Sequence, residues 1–126
     1  MDSITIEVPF LPPEEHSPNA RVHWSQRYRS GKVYQDAVYY CAVDARNRAI
    51  LLEPFPKASL MLTLIFPQKR RRDADNFLAA FKPGLDALKM AGLIVDDNTE
   101  HLIVIAINIW VDRARAPATI IQLRRV

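Results

Sequence analysis

The chain has 126 residues, 49% of them hydrophobic and 25% charged, with a net charge of +3. That length makes one domain around a single core, and the composition is that of an ordinary soluble globular protein. The one cysteine, Cys41, excludes an intramolecular disulfide. No apolar run reaches the length of a membrane span and the start lacks a signal-peptide pattern, so no membrane partner and a cytoplasmic location are expected.

Ser3 to Phe10 alternates apolar and polar residues and reads as a strand, closed by Pro9, Pro12 and Pro13. Residues 11–25 read as a loop, and Trp24 within it is expected to pack on the core. From about Ser30 to Ile50, the residues Val33, Ala37, Tyr40, Cys41 and Ala45 recur at helical spacing, which predicts a long amphipathic helix. Cys41 then reads as a buried structural thiol. Leu51 to Lys57 is a proline-containing connection, and Ser59 to Phe66 is a buried strand. The charged loop 67–74 leads to a helix over Asn76 to Ala91 with Gly92 as its C-cap. Pro83 requires that helix to kink or to start anew. His101 to Val111 and Ala118 to Leu123 read as strands, and the arginine loop 112–117 is compatible with a hairpin between them. The order β-α-β-α-β-β predicts an α/β (α+β) single domain over residues 1–126, a mixed sheet with packed helices.

Chemistry concentrates in Arg70-Arg71-Arg72-Asp73-Ala74-Asp75-Asn76 and in Val95-Asp96-Asp97-Asn98. Carboxylates cluster where oxygen ligands hold a hard divalent cation. Arginines cluster where phosphate is held. Both together fit a magnesium ion working on a phosphodiester. Basic clusters at Lys69 to Arg72, at Arg113 with Arg115, at Arg124 with Arg125, and at Arg21, Arg27 and Arg29 suit a polyanion. If the backbone of Asp73 to Asp75 is extended, both carboxylates point to one side and can grip one cation. The plainer alternatives are a helix cap at Asp73 or Asp75 and ordinary turn chemistry at Asp96-Asp97-Asn98.

If the helix stays regular through Pro83, Asp75, Lys82 and Asp86 share one polar ridge beside a core stripe of Phe77, Leu78, Phe81, Leu85 and Leu88. The plain reading of Lys82 and Asp86 is an i, i+4 pair worth a few tenths of a kcal/mol. His16, His23 and His101 are scattered without zinc spacing, and His101 reads as a structural residue in its strand. The glycines form no phosphate loop.

Arg71-Arg72-Asp73-Ala74-Asp75-Asn76, then Leu85-Asp86-Ala87-Leu88, Ala91-Gly92-Leu93 and Asp96-Asp97, resemble the signature of RusA-type Holliday junction resolvases. The opening strand with Pro9, Pro12-Pro13, Asn19 and Arg21 resembles the family's start, and the likeness covers most of the chain. The resemblance implies a small α/β domain acting as a symmetric homodimer. Such a dimer cuts four-way DNA junctions with magnesium, by paired nicks in strands of like polarity. Two-fold symmetry suits two cuts.

By that resemblance Asp73, Asp75 and Asp97 match the family's metal-binding acids, with Asp96 their neighbour. The family's catalytic lysine stands four residues after the second aspartate, where this chain has Ala79. Lys82, nearly one helical turn further on and at the family's spacing to Asp86, is expected to take its place. Lys69, Arg70, Arg71, Arg72 and Asn76 are the expected DNA contacts. The strands of residues 101–123 and the first helix are both candidate dimer surfaces. Two other readings compete: a DNA-binding dimer that keeps the fold without turnover, and a metal-dependent nuclease for other branched DNA. In the DNA-binding readings, Trp24 and Tyr28 have an alternative role, stacking on unpaired bases.

Overall fold

A computed structural model describes residues 2–14 and 20–126. His16 and Asn19 lie outside the described residues, and with them one part of the expected family opening. The described residues form a single α+β domain in the order β1 (Ser3–Val8), α1 (Trp24–Ala49), β2 (Ala58–Phe66), α2 (Ala74–Ala80), α3 (Lys82–Met90), β3 (Leu102–Val111) and β4 (Ala118–Arg125). The strands make one mixed sheet in the order β1-β4-β2-β3. β4 runs antiparallel to both β1 and β2, and β3 runs parallel to β2.

That order corrects the hairpin expected between β3 and β4. Both strands pair with β2, on its opposite edges, so β2 separates them. A parallel neighbour must be reached by a crossover, and α2 with α3 supplies it. The chain then passes the end of β2 through residues 112–117. Two strand spacings are about 10 Å, and an extended segment of this length spans that distance with slack. Asp112 N–H donates to Phe66 O at 2.9 Å, which holds the start of the return. β4 alternates the buried Thr119, Ile121 and Leu123 with outward residues and fills the slot between β1 and β2.

The helices cover one face of the sheet. Ile4, Ile6 and Val8 of β1 are buried, whereas Ser3, Thr5 and Glu7 are exposed. Leu60 and Leu62 of β2 join Ile121 and Leu123 in a core with Val38 and Ala42 of α1 and Leu88 of α3. Tyr34 sits in this layer. Its ring meets Phe81 edge to face at 6.1 Å, and its hydroxyl donates to Thr119 Oγ1 at 2.9 Å. Burial pushes the Tyr34 phenol far up, so it stays a donor. β3 is an edge strand whose Ile103, Val104, Ile105, Trp110 and Val111 are exposed.

Three local departures from the sequence expectation have physical causes. α1 starts at Trp24, earlier than the apolar periodicity indicates, because His23 caps it: Ser25 N–H donates to His23 Nδ1 at 3.2 Å. Pro83 divides the predicted second helix. α2 ends at Ala80 with Phe81 as its cap, and α3 begins anew with Pro83 in its first turn, where a missing N–H leaves no bond unmade. At the far end Ala91 is the C-cap and Gly92 follows at φ +75°. There Leu93 N–H donates to Leu88 O at 3.1 Å and Gly92 N–H to Lys89 O at 3.0 Å, a left-handed closure that glycine adopts without strain.

Two of these joints have close neighbours where a side chain would stand. A Cβ at Gly84 would lie 2.5 Å from the Phe81 ring, so the restart of the helix depends on that bare backbone. A Cβ at Gly92 would lie 2.7 Å from Arg46 Nη1. Arg46 donates from Nε to Leu51 O at 2.9 Å, from Nη1 to Ala91 O at 3.1 Å and from Nη2 to Leu52 O at 3.1 Å. One guanidinium thus ties the end of α1 to the end of α3.

Candidate functional site

The expected site residues fall into two groups. The first surrounds a cleft of about 460 Å³ between the start of α1 and the start of α2, whose lining includes Arg21, Gln26, Arg71, Arg72, Asp73 and Asn76. The loop after β2 carries Lys69, Arg70 and Arg71, all exposed. Arg70 pairs with Glu14 across the cleft mouth. Arg72 is half-buried, its guanidinium 3.7 Å over the Phe66 ring, with Nη1 donating to Arg70 O at 3.3 Å. Its Nε is buried with no hydrogen-bond partner among the described residues. Burial first, and the nearby Arg70 charge second, lower its basicity.

Asp73 closes this group as the N-cap of α2. Its backbone is extended and its Oδ1 accepts from Asp75 N–H at 3.0 Å. The capping alternative is therefore realised. Asp75 belongs to the first turn of the helix, so the extended-backbone argument for two carboxylates on one side does not hold. Both side chains remain exposed.

The second group is a lysine–carboxylate cluster between α3 and the loop after it. Lys82 pairs with Asp97 through a short contact and with Asp86 at 3.2 Å. Lys89 reaches Asp86 at 3.5 Å, Asp97 at 3.5 Å and Asp96 at 3.6 Å. Helix register supplies half of this: Lys82, Asp86 and Lys89 are one and two turns apart on one face. The return of the chain after Gly92 supplies the rest, bringing Asp96 and Asp97 back over that face. The Asp96 carboxylate also shapes the loop, accepting from Asp97 N–H at 2.7 Å and from Asn98 Nδ2 at 3.3 Å. Turn chemistry and site chemistry thus share the same residues.

The Lys82 hydrogen bond, working against partial burial, holds the Asp97 carboxyl down at about 2. The same contact raises Lys82. At Lys89 desolvation pulls the other way, but the charges of Asp97, Asp86 and Asp96 outweigh it and its pKa is raised. Both lysines are therefore charged, and Asp97 ionised, across the neutral range.

The break at Phe81 corrects the single ridge of Asp75, Lys82 and Asp86. The Lys82–Asp86 pair forms, but Asp75 stands on a different helix. Ala79 is exposed on α2. Sequence reasoning missed Lys89, although its three-residue spacing from Asp86 was a readable signal. His101 precedes β3 instead of lying in it, and its Nδ1 is 3.0 Å from Pro56 O. Cys41 is half-buried, and burial pushes its thiol up, which removes thiolate chemistry at neutral pH. Trp24 reverses its expectation: it is 72% exposed and does not pack on the core.

Among the described residues no three His, Cys, Asp or Glu side chains form a cage for a metal ion. Magnesium requires less, since it is held by one or two carboxylates and keeps several waters. The exposed carboxylates of Asp73 and Asp75, two residues apart at a helix start, fit that donor set, whereas both carboxylate oxygens of Asp97 already face lysines.

No family model matches the chain. A protein of Xylella fastidiosa (strain Temecula1 / ATCC 700964), described as an uncharacterized protein, is 36% identical over 101 residues. The match covers 78% of this chain and 61% of that relative. No helix among the described residues is long and apolar enough to cross a membrane.

Proposed function

We propose that the protein is a magnesium-dependent endodeoxyribonuclease of the RusA type, resolving four-way DNA junctions as a homodimer in recombination and repair in the cytoplasm. The observation that carries this reading is the pairing of Lys82 on α3 with Asp86 of the same helix and Asp97 of the loop after it, while the helix before it opens on a cleft gathering Arg71, Arg72, Asp73 and Asn76. A phosphodiester needs both halves: cations for the phosphates on either side of the cut, and carboxylates for a metal ion at the cut.

Asp73, Asp75 and Asp97, with Asp96 beside them, are the residues that would hold magnesium. Bound there, the ion would supply a more acidic bound water and charge neutralisation on the phosphate. Lys82 keeps Asp97 ionised and carries an ammonium that can meet charge developing on the phosphate. Arg71 and Arg72 hold flanking phosphates, and Asn76 lines the same cleft. Lys69 and Arg70 extend the basic path along the loop.

The homodimer reading draws support from β3. It is a long apolar edge strand, and a second copy laid antiparallel along it would satisfy its unpaired backbone groups under two-fold symmetry. Ile105, exposed and unpaired at a bulge opposite Leu60 and Met61, is the position at which to break it. Ile105→Lys should give a monomer by analytical ultracentrifugation; an unchanged mass moves the interface elsewhere.

Cleavage of a labelled four-way junction, with linear duplex and flap controls and with Asp75→Asn alongside, tests the whole reading. Symmetric magnesium-dependent nicks at the junction, absent from the variant, are the expected result. Tight binding without cutting would make the chain a DNA-binding protein, and equal cutting of every substrate would leave a nuclease without junction selectivity.

A further inference from the structure

The first turns of α1 carry a ridge that the phosphodiester reading leaves unused. Trp24 and Tyr28 are four residues apart, and Lys32 continues the spacing, so the three side chains stand one above another on one face. Both rings are in water, at 72% and 67% exposure. The ring contact of Trp24 among the described residues is its neighbour His23, at 5.5 Å between centroids.

The ridge stands between the two halves of the candidate site. Gln26, two residues after Trp24, lines the arginine cleft. Tyr28, Lys32 and Gln35 form one wall of a groove of about 230 Å³ whose other wall is Lys82, Pro83 and Asp86. A strand that reached Lys82 from the α1 side would cross these rings.

The charge of the segment identifies the occupant. From Ala20 to Gln35 the chain holds Arg21, Arg27, Arg29 and Lys32 and no acidic residue, and Asp36, which follows, pairs with Lys32 at 3.1 Å and leaves three arginines in excess. A partner that presents flat apolar faces and negative charge at once is a single-stranded nucleic acid, whose bases stack on aromatic rings while its phosphates follow a basic groove. Paired bases in a duplex are stacked on each other and have no face to offer.

We propose that Trp24, Tyr28 and Lys32 form a stacking platform for unpaired bases of the DNA strand that enters the site. This rests on the nuclease reading above and adds to it the state of the substrate: locally unpaired, as at the centre of an opened junction.

The test is a binding titration in EDTA, so that it does not depend on cleavage. The probes are an oligothymidylate of about twelve nucleotides and a fully paired duplex of equal length. A Trp110→Phe chain makes Trp24 the fluorescent reporter. Oligothymidylate should quench Trp24, and Tyr28→Leu should weaken its binding by roughly tenfold, with duplex binding changed by less than about twofold. Tyr28→Phe, which keeps the ring, should bind as the parent does, and the retained duplex binding of Tyr28→Leu shows that its loss on oligothymidylate is not misfolding. Equal affinity of Tyr28→Leu and parent for oligothymidylate would overturn the platform, as would an equal loss on duplex. Quenching by anionic phospholipid vesicles but not by oligothymidylate would replace it with a membrane-surface role. A chain that stacks oligothymidylate but never cuts a junction would sink the nuclease reading alone, whereas one that cuts without responding at Tyr28 would sink the platform alone.

Discussion

At the start of α2 the cations stand on a loop, and at α3 they stand on a helix. The loop arginines have loose engagements: Arg70 with Glu14 at an exposed mouth, Arg72 over an aromatic ring, and Arg71 exposed. On α3, Lys82 and Lys89 meet Asp86, Asp96 and Asp97, a set that leaves one net negative charge. The first region is charged for something not in the chain. The second is nearly balanced within itself, and its register holds its geometry in advance. Loop cations suit affinity for a long polyanion, and helix-borne pairs suit a fixed arrangement at one phosphate.

The sharpest way to break this contrast is to remove acids and cations separately. Asp75→Asn should slow single-turnover junction cleavage by about a thousandfold, while gel-shift affinity is kept. Lys82→Ala should slow cleavage by about a hundredfold and leave the salt dependence of binding almost unchanged, because the charge of Lys82 is already spent on Asp97 and Asp86. Arg71→Ala with Arg72→Ala should do the reverse, weakening binding and lowering the slope of log affinity against log salt by about two. A salt slope altered equally by both variants would erase the distinction.

The smallest effect is on stability. The folded-state pKa of Asp97 is depressed, so its contribution is complete above about pH 4 and is lost as pH falls through about 2. Lys82 is 55% exposed, and solvent screening limits the loss to about 1 kcal/mol. Urea melts at descending pH should show that decline in the parent and a flatter curve in Asp97→Asn.

Much of this was legible locally. The alternation in β1, the restart demanded by Pro83, the helix end at Gly92 (one residue beyond the cap, Ala91) and the Lys82–Asp86 spacing each depend on a few neighbouring residues. The failures were non-local or lacked a periodic signal. Whether β4 follows β3 as a hairpin or inserts beyond β2 is decided by which strand slot remains open, and no turn residue records that. Trp24 was misread because the first turns of α1 lack an apolar stripe, and an aromatic in a polar segment was taken for a core residue. The meeting of Asp97 with Lys82 follows from the path of the chain after Gly92, which spacing along one helix cannot describe.

Arg46 and Gly92 have a bearing on ancestry. The guanidinium fills the space where a side chain at position 92 would stand, and it donates to three carbonyls. A side chain at position 92 would push the guanidinium off the Ala91 carbonyl, so the two should tend to be inherited together. Both are tied to the fold, one by its contacts and the other by its backbone. A descendant that had lost Asp75 and Asp97 should still carry the pair, which makes it a better mark of kinship than the residues that first draw the eye.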